Sequence, residues 1–102
     1  MQNNADKFVT MIGFAKRAGK IVYGYDNLKS ARGLKLLAVS DTASVNLAQD
    51  MKNLAEKKRV PLVVAPALEI TVGNNVKALG MTDGNMAQAA LSYAREADGY
   101  NT

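Results

Sequence analysis

A chain of 102 residues with 48% hydrophobic and 22% charged side chains has the length of one domain and an ordinary globular composition. It contains neither cysteine nor histidine, which excludes disulfides, thiolate or imidazole metal sites and imidazole general-base catalysis. The formal charge is +4 but unevenly spread: residues 1–35 hold seven Lys/Arg against two Asp, and residues 36–102 hold six against seven acidic residues.

No apolar run approaches the roughly 20 residues of a membrane span. Met1-Gln2-Asn3-Asn4 lacks the basic-then-apolar order of a signal peptide. A cytoplasmic location and no membrane contact are therefore expected, and the absence of cysteine fits a reducing compartment. Residues 1–5 read as loose polar chain, and residues 97–102 as a frayed end. The whole of 1–102 reads as a single domain.

Asp6 is placed to cap a first helix. Phe8, Met11, Ile12 and Ala15 then recur at i, i+3, i+4 and i+7, one face of that helix, with Lys7, Thr10 and Arg17 outside. Gly19 suits the left-handed residue that ends a helix. Lys20-Ile21-Val22-Tyr23 is short enough to be only an edge strand. Gly24 opens a second helix over 27–32, which Gly33 ends. Tyr23 and Tyr25 fall on one side of the chain by strand alternation, open to core packing or to stacking on bases.

Leu36-Leu37-Ala38-Val39 is a buried strand. Residues 40–44 supply loop and cap chemistry. Leu47, Met51, Leu54, Ala55 and Lys58 mark the longest helix, about residues 44–59. Its Lys57-Lys58-Arg59 end reads first as cations offsetting a helix C-terminus. Pro61-Leu62-Val63-Val64-Ala65 is a second buried strand, with proline at its first position. Residues 68–72 fit a helical turn or a strand equally well. Gly73-Asn74-Asn75 turns the chain into a third buried strand over 76–81. Asp83 caps a last helix over 85–95. Strands alternating with helices predict an α/β fold: a three-layer α/β/α sandwich around a small mixed sheet of four or five strands. Leu37, Val39, Leu62, Val64, Leu79 and Met81 should be its buried centre.

The junction from Gly13 to Gly24 carries Lys16, Arg17 and Lys20 around a helix stop. Lys29, Arg32 and Lys35 follow. On one surface these cations would neutralise several phosphates together; apart, they only solvate helix faces. No catalytic set is visible. Asp26, Asp41 and Asp83 each stand at a helix start, where capping accounts for them. Residues 73–75 lack the Gly-Lys-Ser/Thr of a phosphate loop.

Four segments together carry a family likeness: Ile12 to Lys20, Gly24 at the start of the second helix, Leu37 to Asn46, and Val60 to Val63 with Val76 to Asp83. Over about Phe8 to Leu91 the chain resembles the kink-turn RNA-binding ribosomal protein superfamily of the L-seven-Ae and L-thirty-e type, in particular its bacterial YlxQ-like branch. The resemblance implies a non-catalytic protein that binds structured RNA and associates with ribosomal or other kink-turn RNA, with no cofactor. It implies backbone approach at Gly24, polar readout by Tyr25, Asp26 and Asn27, and cation contacts from Lys29. It implies an apolar loop over an unstacked nucleotide, with Leu68, Glu69, Ile70 and Thr71 as candidates. Lys16, Arg17, Gly19 and Lys20 add the basic junction. Asn27 and Ser30 stand where the family carries Glu or Gln and Lys. The other reading is a diverged member that keeps the fold and serves as a protein-interaction module.

Overall fold

The computed structural model describes residues 4–98. In chain order they form α1 (Asn4–Arg17), β1 (Ile21–Tyr23), α2 (Tyr25–Ser30), β2 (Leu36–Ser40), α3 (Val45–Lys58), β3 (Leu62–Ala65), α4 (Leu68–Val72), β4 (Ala78–Met81) and α5 (Gly84–Asp98). The strands make one four-stranded sheet in the order β1-β4-β2-β3. β2 and β3 are parallel, and β4 runs antiparallel to both β1 and β2. The sheet is therefore mixed, as expected. β1, β2 and β3 end, and β4 begins, at what is called here the upper end.

Alternation along the strands separates two cores. Leu36, Ala38, Val63, Ala65, Leu79 and Met81 face Phe8, Ile12 and Ala15 of α1, Leu68 and Val72 of α4, and the alanines 87, 90 and 94 of α5. Leu37, Val39 and Ala78 face Leu28 of α2, Leu34, and Met51, Leu54 and Ala55 of α3. Helices thus cover both faces, and the three-layer sandwich is present. Gly80 makes the α2 side fit. A Cβ there would stand 2.7 Å from Leu34 Cδ2 and 2.8 Å from Leu28 Cδ2, so only a bare backbone lets these leucines reach the sheet.

Several boundaries differ from the sequence reading. α1 already contains Asp6, which is therefore not its cap. α2 covers 25–30 and ends before Ala31, whose extended backbone breaks it two residues ahead of Gly33. Residues 68–72 are helical. Val76 and Lys77 lie in the turn, and β4 begins only at Ala78. β3 is an edge strand, not a central one. It buries Val63 and Ala65 on the α1/α5 side, leaves Val64 44% exposed, and only half-covers Leu62. Leu37, Val39, Leu79 and Met81 are buried as expected. The loose ends expected at 1–5 and 97–102 fall partly outside the described residues, and Asn4, Ala5, Ala97 and Asp98 belong to helices.

Three caps behave as predicted. Gly19 takes φ 70°, and the N–H of Lys20 reaches back to the Ala15 carbonyl at 2.9 Å, closing α1. Ser44 accepts from Leu47 N at 3.1 Å at the start of α3. Asp83 accepts from Met86 N at 2.9 Å. Asp41 is a correction. It accepts from Ala67 N at 3.0 Å and so fixes the entry to α4, not to α3.

Candidate nucleic-acid interface

Gly24 lies where β1 leaves the sheet at its upper end. Its N–H donates to the Ala78 carbonyl at 3.0 Å, and its carbonyl accepts from Leu28 N at 3.0 Å. Its φ of 86° and ψ of 144° place it in a region used essentially by glycine alone. The chain therefore turns out of the sheet directly into α2 and presents Tyr25, Asp26 and Asn27 on the first turn. Asp26 and Asn27 are exposed and Tyr25 is half-buried. Asn27 Nδ2 donates to the Tyr23 carbonyl at 2.9 Å. Lys29 pairs with Asp26 at 3.5 Å and lies 5.2 Å from the centre of the Tyr25 ring. Tyr23 and Tyr25 pack against opposite cores, Tyr23 toward α1 and α5 and Tyr25 toward α2 and α3. The turn at Gly24 breaks the alternation that predicted a shared side.

The second candidate segment arrives at the same end. α4 starts just beyond the end of β3 and is tied to β2 by a polar cluster. Ser40 Oγ and Thr42 Oγ1 each donate to the Glu69 carboxylate at 2.6 Å. Ser40 Oγ in turn accepts from Thr42 N and Leu68 N, both at 3.2 Å, which satisfies the one buried polar residue among those described. These hydroxyls, Ser40 first and then Thr42, hold the Glu69 carboxyl down at about 2. Glu69 thus fastens α4 to the sheet. Its neighbours divide cleanly: Leu68 is 1% exposed and faces the core, away from solvent, whereas Ile70 is 81% exposed. Thr71 is half-buried. Of the four residues expected to cover a nucleotide, Ile70 is the one whose apolar side chain stands free. The Ser40–Thr42–Glu69 cluster was not found in the sequence, where its members are 27 and 29 residues apart.

Beside the first of these segments runs an open groove of about 430 Å³, lined by Tyr23, Gly24, Tyr25, Leu47 and residues 74–78, the stretch that leads from α4 into β4. Lys77 lines it and also contributes to lowering Glu69, which links the α2 side of the upper end to the α4 side.

The basic junction goes elsewhere. Lys20 stands at the opposite, lower end of β1: its carbonyl accepts from Thr82 N at 3.0 Å, beyond the end of β4. Four residues of extended chain, about 13 Å, separate it from Gly24. Lys16 reaches from α1 to donate to the Val72 carbonyl at 3.1 Å, closing the C-terminus of α4. Arg17 covers Phe14, 4.9 Å from its ring centre. The three cations therefore do not act as one patch beside Tyr25, Asp26 and Asn27: Lys20 stands at the other end of β1, Arg17 lies on Phe14, and Lys16 is tied to α4. The upper end itself carries Asp26, Asp41 and Glu69 against Lys29 and Lys77.

No helix among the described residues is long and apolar enough to cross a membrane. Among the described residues no group of acidic side chains is arranged to hold a metal ion. No family model matches the chain, and no curated protein matches it. Among solved structures, one described as a protein with unknown function from Bacillus halodurans C superposes with a TM-score of 0.79 at 17% identity. The match covers 86% of this chain and 96% of that one. At that identity the likeness is one of fold.

Proposed function

We propose that the chain is a non-catalytic, cytoplasmic RNA-binding protein that recognises structured, kink-turn-like RNA, including RNA of the ribosome. The observation that carries this reading is a glycine-opened helix at the edge of an open groove bordered by two tyrosines, with an exposed isoleucine on the helix that follows β3. Backbone without a side chain at Gly24 permits close approach of a nucleic-acid strand. Exposed polar groups on the first turn of α2 can hydrogen-bond base edges, and Ile70 offers an apolar surface to an unstacked base. A groove bordered by two half-buried tyrosines has room for one such base.

The test is a paired titration on a kink-turn RNA and on the same RNA with its G·A pairs changed. Wild type should prefer the first. A good polar base contact is worth roughly 1–3 kcal/mol, by analogy with duplex DNA, so Asn27→Ala should reduce the preference by about tenfold or more. Ile70→Ala should weaken binding to the kinked RNA only. Lys29→Ala should lower affinity for both RNAs, because it removes a cation and leaves Asp26 unopposed. Equal affinity of wild type for the two RNAs would remove kink recognition. A protein-interaction module is then the better reading. It is favoured by the three carboxylates at the upper end and by two exposed apolar side chains, Val45 at 85% and Ile70 at 81%.

A further inference from the structure

The cations missing from the upper end collect at the lower one, and they come from distant parts of the sequence. Thr82 N donates to the Lys20 carbonyl at 3.0 Å, and Lys35 N donates to the Met81 carbonyl at 2.7 Å. Lys20 and Lys35 therefore flank the end of β4, one strand spacing to each side. Beyond Lys35 the chain of α3 comes in to start β3, with Arg59 at the turn. Lys58 Nζ donates to the Ala31 carbonyl at 3.0 Å, which draws the C-terminus of α3 against the segment carrying Arg32. Arg17 closes α1 at the same end. Seven cations, at positions 17, 20, 32, 35 and 57–59, thus stand against Glu56 and Asp83.

Offsetting helix dipoles accounts for part of this set. Arg17, Lys57 and Lys58 lie in the last turns of α1 and α3. Lys20 lies three residues beyond α1 and Arg32 two beyond α2, outside the last turns in which a macrodipole acts, and Lys35 directly precedes β2. All three are exposed, and the one ion pair among the described residues is Lys29 with Asp26 at the other end. Asp83 is occupied by Met86 N.

We infer that the lower end is a second nucleic-acid contact: a face that holds the phosphate backbone of an RNA duplex while the upper end engages a kink. The inference rests on RNA being the partner. From β1 across to β3 the face is three strand spacings wide, about 14 Å. Double-stranded DNA carries a phosphate charge roughly every 1.7 Å of axis; an RNA duplex is A-form but has the same one charge per nucleotide on two strands, so the face spans several phosphates. Among the described residues the exposed aromatic toward this end is Phe14, and its ring lies under Arg17. A face without free stacking platforms suits the backbone of a paired helix better than single-stranded bases.

The experiment uses the full chain and two probes: a kink-free RNA duplex of about two helical turns, and the kink-turn RNA with its G·A-changed control. Lys20→Glu, Lys35→Glu and Arg59→Glu are combined in one variant, and the same three positions changed to Gln in another. Duplex affinity should fall at least tenfold in the Glu variant at about 100 mM salt. The slope of log affinity against log salt should flatten by about 2 or more. The Gln variant should fall between, and the ratio of kinked to control RNA should not change in either. Unchanged duplex affinity and slope in both variants overturns the second face, as does no duplex binding by wild type. A missing kink preference in wild type with the duplex loss intact overturns the upper-end reading alone.

Discussion

Gly24 and Gly80 forbid a side chain for unrelated reasons. At Gly24 a Cβ would meet nothing within 4 Å, and the constraint is a φ of 86°. At Gly80 the backbone is that of an ordinary strand, and the constraint is Leu34 and Leu28 at 2.7 and 2.8 Å. Gly24→Ala should therefore cost about 1–3 kcal/mol as backbone strain. Gly80→Ala should cost a similar amount, about 1–3 kcal/mol, as overpacking. Urea midpoints separate them when each is combined with Leu34→Val. Shortening the leucine should restore part of the loss at Gly80 and none at Gly24. Gly24 was legible in the sequence because a glycine between a short strand and a helix has a local reason. Gly80 was not, since its reason is two leucines more than 40 residues away.

At the scale of elements, local pattern sufficed where local forces decide. β2 is an apolar run bounded by polar residues, and α3 has both a periodic face and a serine cap, so both were found within a residue or two. α4 has only five residues, too few for period to speak, and it is fixed as a helix by the hold of Glu69 on Ser40 and Thr42. β3 read as central because Leu62-Val63-Val64 is continuously apolar. Pairing order makes it an edge, and no pattern within one strand encodes its neighbours. The α4 attachment has a pH signature. The Glu69 carboxyl titrates at about 2 in the folded chain against an ordinary 4.5. The folded state favours the charged form, so the stability this provides is complete above 4.5 and is lost as pH falls toward about 2. Acid unfolding followed between those values should therefore show a component that Glu69→Gln removes. A Glu69→Gln chain with an unchanged acid limb would mean that the cluster does not hold α4.

Over the whole molecule, charge along the sequence and charge in space are different maps. The first third holds the positive excess, which suggested one basic junction at Gly24. A strand of only three residues is enough to carry that junction to the far side of the sheet. Residues 57–59, from the second half of the chain, complete the cluster there. What folding separates is thus chemistry of two kinds: shape and polar groups at the upper end, net positive charge at the lower. If both ends work as argued, Asn27→Ala and the triple Glu variant should act independently, their effects on binding free energy adding within about 0.5 kcal/mol. Titration of the combined variant on the kink-turn RNA measures this directly.

Arg59 shows what such a division asks of a single position. It ends α3 in the left-handed conformation, φ 58° and ψ 45°, where glycine fits at least cost. Arginine there carries a strain of about 1–2 kcal/mol, partly offset by the greater unfolded-state freedom of glycine. Arg59→Gly should accordingly raise the urea midpoint by an amount worth about 0.5–1 kcal/mol while lowering affinity for duplex RNA. A variant that gains stability and loses binding in one step would identify Arg59 as a charge retained at the expense of thermal robustness. Engineering this chain for heat resistance at that position would then remove part of the surface by which it meets its partner.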